Sequence, residues 1–154
     1  MNITIVSSKQ APRELLLLAD PCENRVAEYV KSGILFVGEF DGQVIAAAVI
    51  MKDGERYEIK NIAVSPAYQH KGLGKLMLAH LIRHVKEAGG EEIFLGTGNS
   101  SLSQLAFYQK MGFRITGVIP DYFRDHEPPI YENGIRCMDM VILSYRLKSS
   151  GGDQ

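Results

Sequence analysis

The 154-residue chain has no tryptophan and only two cysteines, Cys22 and Cys137. Two distant thiols cannot make a disulfide framework, and their spacing fits no metal motif, so a reducing cytoplasmic setting is expected. Long apolar runs are also missing. "LLLLAD" is far too short to cross a bilayer, and "MNITIVSSKQ" lacks the apolar core of a secretion signal. No membrane association is expected. Nor is there an excess of charge: 17 Lys and Arg against 18 Asp and Glu leave a formal net charge of −1. A general nucleic-acid binder needs a basic surplus to neutralise phosphates, so that class is set aside. No internal repeat is present, which excludes solenoids and propellers.

What remains is the composition of a globular protein, 45% hydrophobic and 23% charged. The length suits one domain, taken as residues 1–148, with a polar disordered tail at 149–154. "ITIVS" reads as an opening strand. "APRELLLLAD" reads as a helix with Pro12 near its start and a stop at Asp20-Pro21. "CENRVAEYVKSG" reads as a second helix, with Gly33 as its C-cap. Two β-rich runs surround Asp41-Gly42, a strong hairpin signal, and "ERYEIKNIAV" follows Asp53-Gly54 as a further strand.

A helix then runs to about Ala88. Its Met77, Leu78, Leu81, Ile82, Val85 and Ala88 fall on one arc with Leu73. "EIFLGT" is a strand. "SSLSQLAFYQKM" is a helix with Ser101 and Gln104 spaced as a capping box and Gly112 as C-cap. "FRITGVI" is a strand, residues 120–134 form a long loop, and "RCMDMVILSYRL" is a last strand. Hairpin-linked strands followed by a β-α-β crossover around residues 72–90 predict an α/β protein with a mixed sheet and helices on its faces.

The stretch "YQHKGLGKLM" joins the "NIAV" strand to its helix. A helix start carries unpaired N–H groups and partial positive charge. Gly72 and Gly74 let an anion approach the backbone, and His70, Lys71 and Lys75 add charge. This is a phosphate cradle. It is not a nucleoside-triphosphate loop, since Leu76 follows Lys75, and not a dinucleotide loop, since position 77 is Met. A plain tight turn is the simpler alternative for two glycines alone.

"Q-x-x-G-x-G" at Gln69, Gly72 and Gly74, after "NIAVSPAYQHKG", resembles the acetyl-CoA pyrophosphate loop of GNAT N-acetyltransferases, and "FYQKMGF" resembles their second signature. The likeness in element order covers nearly the whole chain. "LLLLADP", "GTGNSS", "YQKMGF" and "ENGIRCMDM" are similar to a group of small bacterial GNAT proteins whose substrates are mostly unassigned. Many members carry Arg where this chain has Gln69.

The resemblance implies the GNAT fold, a central mixed sheet splayed in the middle with helices on both faces, and acetyl-CoA as cosubstrate without a metal. A bulge in the "NIAV" strand would part it from the "EIFLGT" strand. Pantetheine would then hydrogen-bond to the backbone of Ile62 and Val64, flanking Ala63, like an added strand. The backbone of Gln69, His70, Lys71, Gly72, Leu73, Gly74 and Lys75 would hold the pyrophosphate. The side chains of Ile62, Ala63 and Val64 are ordinary strand core under either reading.

Tyr108 stands where the family carries its general acid, since a phenol with a pKa near 10 is protonated at neutral pH. A core aromatic beside Phe107 is the alternative. Glu58 is the first choice of base, with Glu28, Glu39, Asp121 or a water chain as substitutes. Asn99 either contacts the cofactor or caps a helix, and Lys110 either reaches a cofactor phosphate or is merely solvated.

His80 and His84 stand four apart but lack the Glu of H-E-x-x-H and a third ligand, so no metal site is predicted. Cys137 is expected to be a buried small apolar group. The acceptor pocket is expected from the first two helices and the loop "PDYFRDHEPPIYENG". That loop offers Tyr122, Phe123 and Tyr131 as aromatic walls and Asp121, Asp125, Glu127 and Glu132 as carboxylates for a small primary amine.

A protein or peptide N-acetyltransferase and a non-catalytic acyl-CoA-binding module stay open. The family resemblance also implies a homodimer, with the apolar "MVILSY" strand as an exposed edge available for pairing.

Overall fold

The computed structural model describes residues 2–147 in two compact units, one ending at Glu91 and one starting at Glu92. The expected tail lies outside the described residues. The first unit contains β1 (Thr4–Ser8), α1 (Arg13–Ala19), α2 (Glu23–Ser32), β2 (Ile34–Phe40), β3 (Gln43–Asp53), β4 (Arg56–Val64), a 3-10 turn at Pro66–Tyr68 and α3 (Leu73–Glu87). The strands lie in the order β1-β2-β3-β4, each antiparallel to the next. Asp41 and Gly42 both take positive φ, 51° and 77°, so the β2–β3 turn is the two-residue kind whose twist suits a hairpin.

Both faces of this sheet are covered. On one face Leu15 and Leu16 of α1 and Val26 and Tyr29 of α2 pack with Leu35, Val37, Ala47, Val49 and Ala63. On the other, α3 buries Leu73, Met77, Leu78, Leu81 and Val85. Ile82 is half-buried and Ala88 exposed, so the apolar stripe is narrower than the sequence arc predicted. His80 and His84 both set their ring edges against Phe36, at 4.9 and 5.0 Å between centroids.

Gly33 does close α2, but for a reason other than a left-handed cap. Its φ is −97°, an ordinary value, while an added Cβ would sit 2.7 Å from the carbonyl oxygens of both Ile50 and Tyr29. Backbone atoms cannot give way cheaply, so Gly33→Ala should destabilise the chain by about 1–3 kcal/mol in urea denaturation.

β4 carries the bulge that the family resemblance implied. Val49 faces Asn61 and the next β3 residue, Ile50, faces Ile59, which leaves Lys60 as the extra residue. Before the bulge Tyr57 points towards Val85, under α3. After it Asn61 and Ala63 lie on the α1/α2 face.

The second unit contains β5 (Glu92–Gly98), α4 (Leu102–Lys110), β6 (Arg114–Ile119), β7 (Tyr131–Glu132), β8 (Ile135–Arg136) and β9 (Met140–Arg146). The strand order is β5-β9-β6, all antiparallel, and β7 pairs only with β8.

Three expectations change here. β9 is hydrogen-bonded on both sides, so it is no exposed edge; the edge is β6, with Ile115, Val118 and Ile119 exposed. The last strand does not run unbroken from Arg136, because the backbone of residues 137–139 bonds elsewhere. Finally, the 120–134 loop is partly regular, since it holds a hairpin turning at Asn133 and Gly134, with φ of 56° and 75°.

Candidate active site

In the first unit the structure brings together the strand and the turn expected to hold a cofactor. β4 ends at Val64, and Ser65 donates to Ile45 O at 2.8 Å. Gln69 Nε2 donates to Val64 O at 3.0 Å, so the side chain ties the turn back to its strand and occupies that carbonyl. His70 and Gly72 are left-handed, with φ of 63° and 82°, which folds the chain into a nest leading into α3.

Gln69, His70, Lys71 and Gly72 are exposed, as is Lys75. Gly72 is the N-cap and supplies no side-chain bond; the first intrahelical bond runs from Leu76 N to Gly72 O. The amides of Leu73, Gly74 and Lys75 thus precede the first helical hydrogen bond. Nothing lies within 4 Å of where a Gly72 Cβ would be. The turn is therefore an open, uncapped helix start with three basic side chains, and it fits a pyrophosphate.

Glu58 lies on the α1/α2 face of β4 opposite Met51, and its Oε1 pairs with Lys60 Nζ at 3.0 Å. Glu28 and Glu39 are exposed, and Asp121 sits in a left-handed turn.

The second unit holds Tyr108. Its side chain is buried, 6% exposed, with ring centroids 5.0 Å from Phe107 and 5.4 Å from Phe113. Burial pushes its phenol pKa upward, so the proton is held more tightly than in a free tyrosine. Tyr108 is thus a core aromatic packed beside Phe107, one of the two roles weighed from the sequence, and its phenol is protonated. Lys110 is exposed in the last turn of α4.

Asn99 neither caps α4 nor stands free. Its Oδ1 accepts from the amides of Met138 (2.8 Å) and Asp139 (2.9 Å), and its Nδ2 donates to Arg136 O at 3.1 Å. These bonds are what break the last strand. The capping box is also absent. Ser101 Oγ donates to Glu132 Oε1 at 2.9 Å, and Gln104 Oε1 accepts from Thr97 Oγ1 at 3.0 Å. Buried Ser100 donates to the same Glu132 oxygen at 2.8 Å, and Asn133 Nδ2 donates to Ser100 O at 2.9 Å.

The start of α4 thus receives a carboxylate from the β7–β8 hairpin, the favourable sign at a helix N-terminus. Glu132 was expected as a free carboxylate for an amine; it is committed to this clamp instead. Close packing seals the contact: a Cβ on Gly98 would lie 2.5 Å from Sγ of buried Cys137, and one on Gly96 would lie 2.5 Å from Met140 Sδ. "GTGNSS" and "ENGIRCMDM", far apart in sequence, are one interlocked unit.

Asn99→Ala should cost roughly 2 kcal/mol or more, because two amides and a carbonyl lose their partner. Hydrogen exchange should quicken first at Met138 and Asp139.

The acceptor-loop aromatics are surface-placed. Tyr122 stacks edge-on with Phe123 at 4.8 Å and is 56% exposed, and Tyr131 is 64% exposed. Phe123 N donates to Met138 O at 2.8 Å, and Asp121 N to Asp139 Oδ1 at 2.8 Å, so both ends of this segment are pinned.

One polar network was not foreseen. Asn61, 4% exposed, donates through Nδ2 to Leu16 O (2.9 Å) and to the Tyr29 hydroxyl (2.8 Å). Tyr29 donates to Asp20 Oδ2 at 3.1 Å, and Arg25 binds Asp20 through two bonds of 2.8 and 2.6 Å. Burial alone would raise the Asp20 pKa, but the bonds from Arg25 and from Cys22 N–H hold it below the usual carboxylate value. Burial, aided by the Asp20 charge, pushes Tyr29 up to about 12. The available signal was a lone Asn in an otherwise apolar phase of "EIKNIAV".

Comparison with known proteins follows the same lines. The model of the Acetyltransferase (GNAT) family matches residues 8–113. A curated relative named as the N-acetyltransferase YvbK of Bacillus subtilis (strain 168) is 42% identical over 132 residues, 84% of this chain and 85% of its own. The solved structure of an IAA acetyltransferase from Bacillus cereus ATCC 14579 is 44% identical, with a TM-score of 0.87, over 95% of this chain and 100% of that one. A GNAT family acetyltransferase from Elizabethkingia anophelis, solved with acetyl-CoA bound, is 42% identical with a TM-score of 0.89, over 95% and 99% of the two chains.

Proposed function

The chain belongs to the GNAT acetyltransferase family and is an acetyl-CoA-dependent N-acetyltransferase of mixed α/β fold, and from that premise we propose that it acetylates the primary amine of a small molecule by direct attack. The observation that carries the donor half is the open helix start at Gly72, with uncapped amides and basic neighbours where a pyrophosphate is needed. In this reading the backbone of Gln69–Lys75 holds the pyrophosphate and Ile62 and Val64 hold the pantetheine arm. Asn99 and Lys110 are auxiliary contacts.

Acetyl-CoA supplies an activated thioester. The protein supplies proton transfer at the two ends of the reaction. Glu58 takes a proton from the incoming ammonium, directly or through water. The Tyr108 hydroxyl gives its proton to the departing sulfur as negative charge develops there; burial keeps the phenol protonated until then, at the cost of making it a weaker acid. Tyr122, Phe123 and Tyr131 face the acceptor as an aromatic surface suited to a cation. A segment pinned at both ends, as at Asp121 and Phe123, supports a preformed wall and hence a small acceptor.

The reading includes a cytoplasmic location, supported by two free thiols; no helix among the described residues is long and apolar enough to cross a membrane. It also includes a homodimer, now through the exposed apolar edge of β6 instead of β9; a monomer in sedimentation at high micromolar concentration would refute that part.

The test of function is thiol release from acetyl-CoA against a panel of small amines, amino acids and peptides. Release with small amines is the expected result. Release with peptides alone would make the protein a peptide acetyltransferase, and tight CoA binding without any release would make it a binding module.

A further inference from the structure

Among the described residues one buried side-chain oxygen has no hydrogen-bond partner, Asn61 Oδ1. Buried polar atoms are nearly always paired, so an orphan calls for a missing partner. The amide cannot turn over to cure the deficit. Its Nδ2 faces the Leu16 carbonyl, which only accepts, and the Tyr29 hydroxyl, whose own proton goes to Asp20. A flipped amide would set Oδ1 against the Leu16 carbonyl and strand both bonds. The chain from Arg25 through Asp20 and Tyr29 therefore fixes Nδ2 as the donor and leaves Oδ1 as an acceptor without a donor.

Its position in the fold matters as much. Asn61 pairs with Val49 and Glu58 with Met51, and both partners belong to or pack on the α1/α2 core. In a regular strand residues three apart face opposite sides. The extra residue Lys60 removes that alternation, so the bulge puts the orphan acceptor and the proposed base on one face of β4.

We propose that Asn61 Oδ1 accepts an N–H of the primary-amine substrate and orients its nitrogen on the Glu58 side of β4. This rests on the acetyl-transfer reading above. The complementarity is chemical: the protein has a buried acceptor lacking a donor, and the substrate carries N–H donors that need acceptors once it leaves water. An amide oxygen takes no proton, so Asn61 binds while the carboxylate does the acid–base work. The oxygen is shielded from bulk water in the free chain, so on the protein side a bond made there gives up no water bond, and only the amine exchanges one. The residue also confers selectivity, since an N-methyl group takes away one of the N–H donors and sets a methyl group where the buried oxygen admits only a small donor.

The experiment uses the whole chain, a primary amine that is turned over, and its N-methyl counterpart. For Asn61→Ala, KM for the primary amine should rise roughly 10–100-fold, as for loss of a hydrogen bond to a charged group. CoA affinity by calorimetry should stay within about twofold, and the wild-type preference for the primary over the N-methyl amine should collapse. Tyr29→Phe, which keeps Asn61 but loosens its orientation, should raise KM by roughly 3–10-fold with the same narrowing of preference, and serves if the alanine variant fails to fold.

An unchanged amine KM and preference, with only a lower melting temperature, would assign the orphan to an internal water and overturn the proposal. Wild-type protein that binds CoA but acetylates no amine would overturn the transfer reading, and Asn61's role with it.

Discussion

Tyr108→Phe is expected to lower turnover by roughly 10²–10⁴-fold while leaving CoA affinity within a few-fold. The substitution removes one hydroxyl and keeps the ring that packs between Phe107 and Phe113 at 5.0 and 5.4 Å, so the fold should survive. Burial raises the phenol pKa, which keeps the group protonated throughout the physiological range. Its titration should therefore cause no loss of activity below the ordinary tyrosine value near pH 10.

The leaving thiolate is already fairly stable, so the effect belongs at the low end of the range. It should shrink above about pH 8.5, where a free thiol ionises unaided. Steady-state turnover and calorimetry on both proteins check this. Equal turnover would make Tyr108 a core aromatic only, and a parallel loss of CoA binding would give it a binding role in place of the acid role.

The second large effect is expected at the turn. Gly74→Glu should weaken CoA binding by on the order of 100-fold or more, because a side chain and a negative charge would meet the pyrophosphate at the helix start. Gly74 is the second residue of α3, just after the left-handed Gly72 and the exposed run from Gln69. Gly72→Ala is the useful contrast. Its Cβ would meet nothing within 4 Å, but φ of 82° is costly for an L-residue, by about 1–2 kcal/mol. That variant should lose stability together with part of its CoA affinity, and Gly74→Glu mainly affinity, as calorimetry and thermal melting will separate. Unchanged CoA binding in Gly74→Glu would remove the turn from the cofactor site.

Much of this is legible in the sequence because the signals are local. Asp41-Gly42 needs only its own backbone freedom to make a hairpin. The stripe Leu73, Met77, Leu78, Leu81 and Val85 needs only the helical period, and Gly72 needs only the turn into its helix. These gave most of the element order, the α/β class and the turn into α3.

Misreadings arose where side chains had alternative partners far away in sequence. Ser101 and Gln104 have the spacing of a capping box, but Glu132 and Thr97 win those hydroxyl and amide groups. Gly33 caps α2 as expected, but what demands glycine there is a close approach of backbones and not a left-handed φ. The β-rich "RCMDM" breaks because Asn99 captures its amides.

By itself, then, the sequence determined where the helices and the β2–β3 hairpin lie, where a glycine turn leads into α3, and which family the chain resembles, since each depends on residues within a turn or two of one another. Only the tertiary structure decided that Glu132 clamps α4 and that β6 rather than β9 is the edge. It also decided that the Lys60 bulge sets Asn61 on the same face as Glu58. Those outcomes depend on strand register and on which distant donor reaches which acceptor, and neither is encoded in any local run of residues.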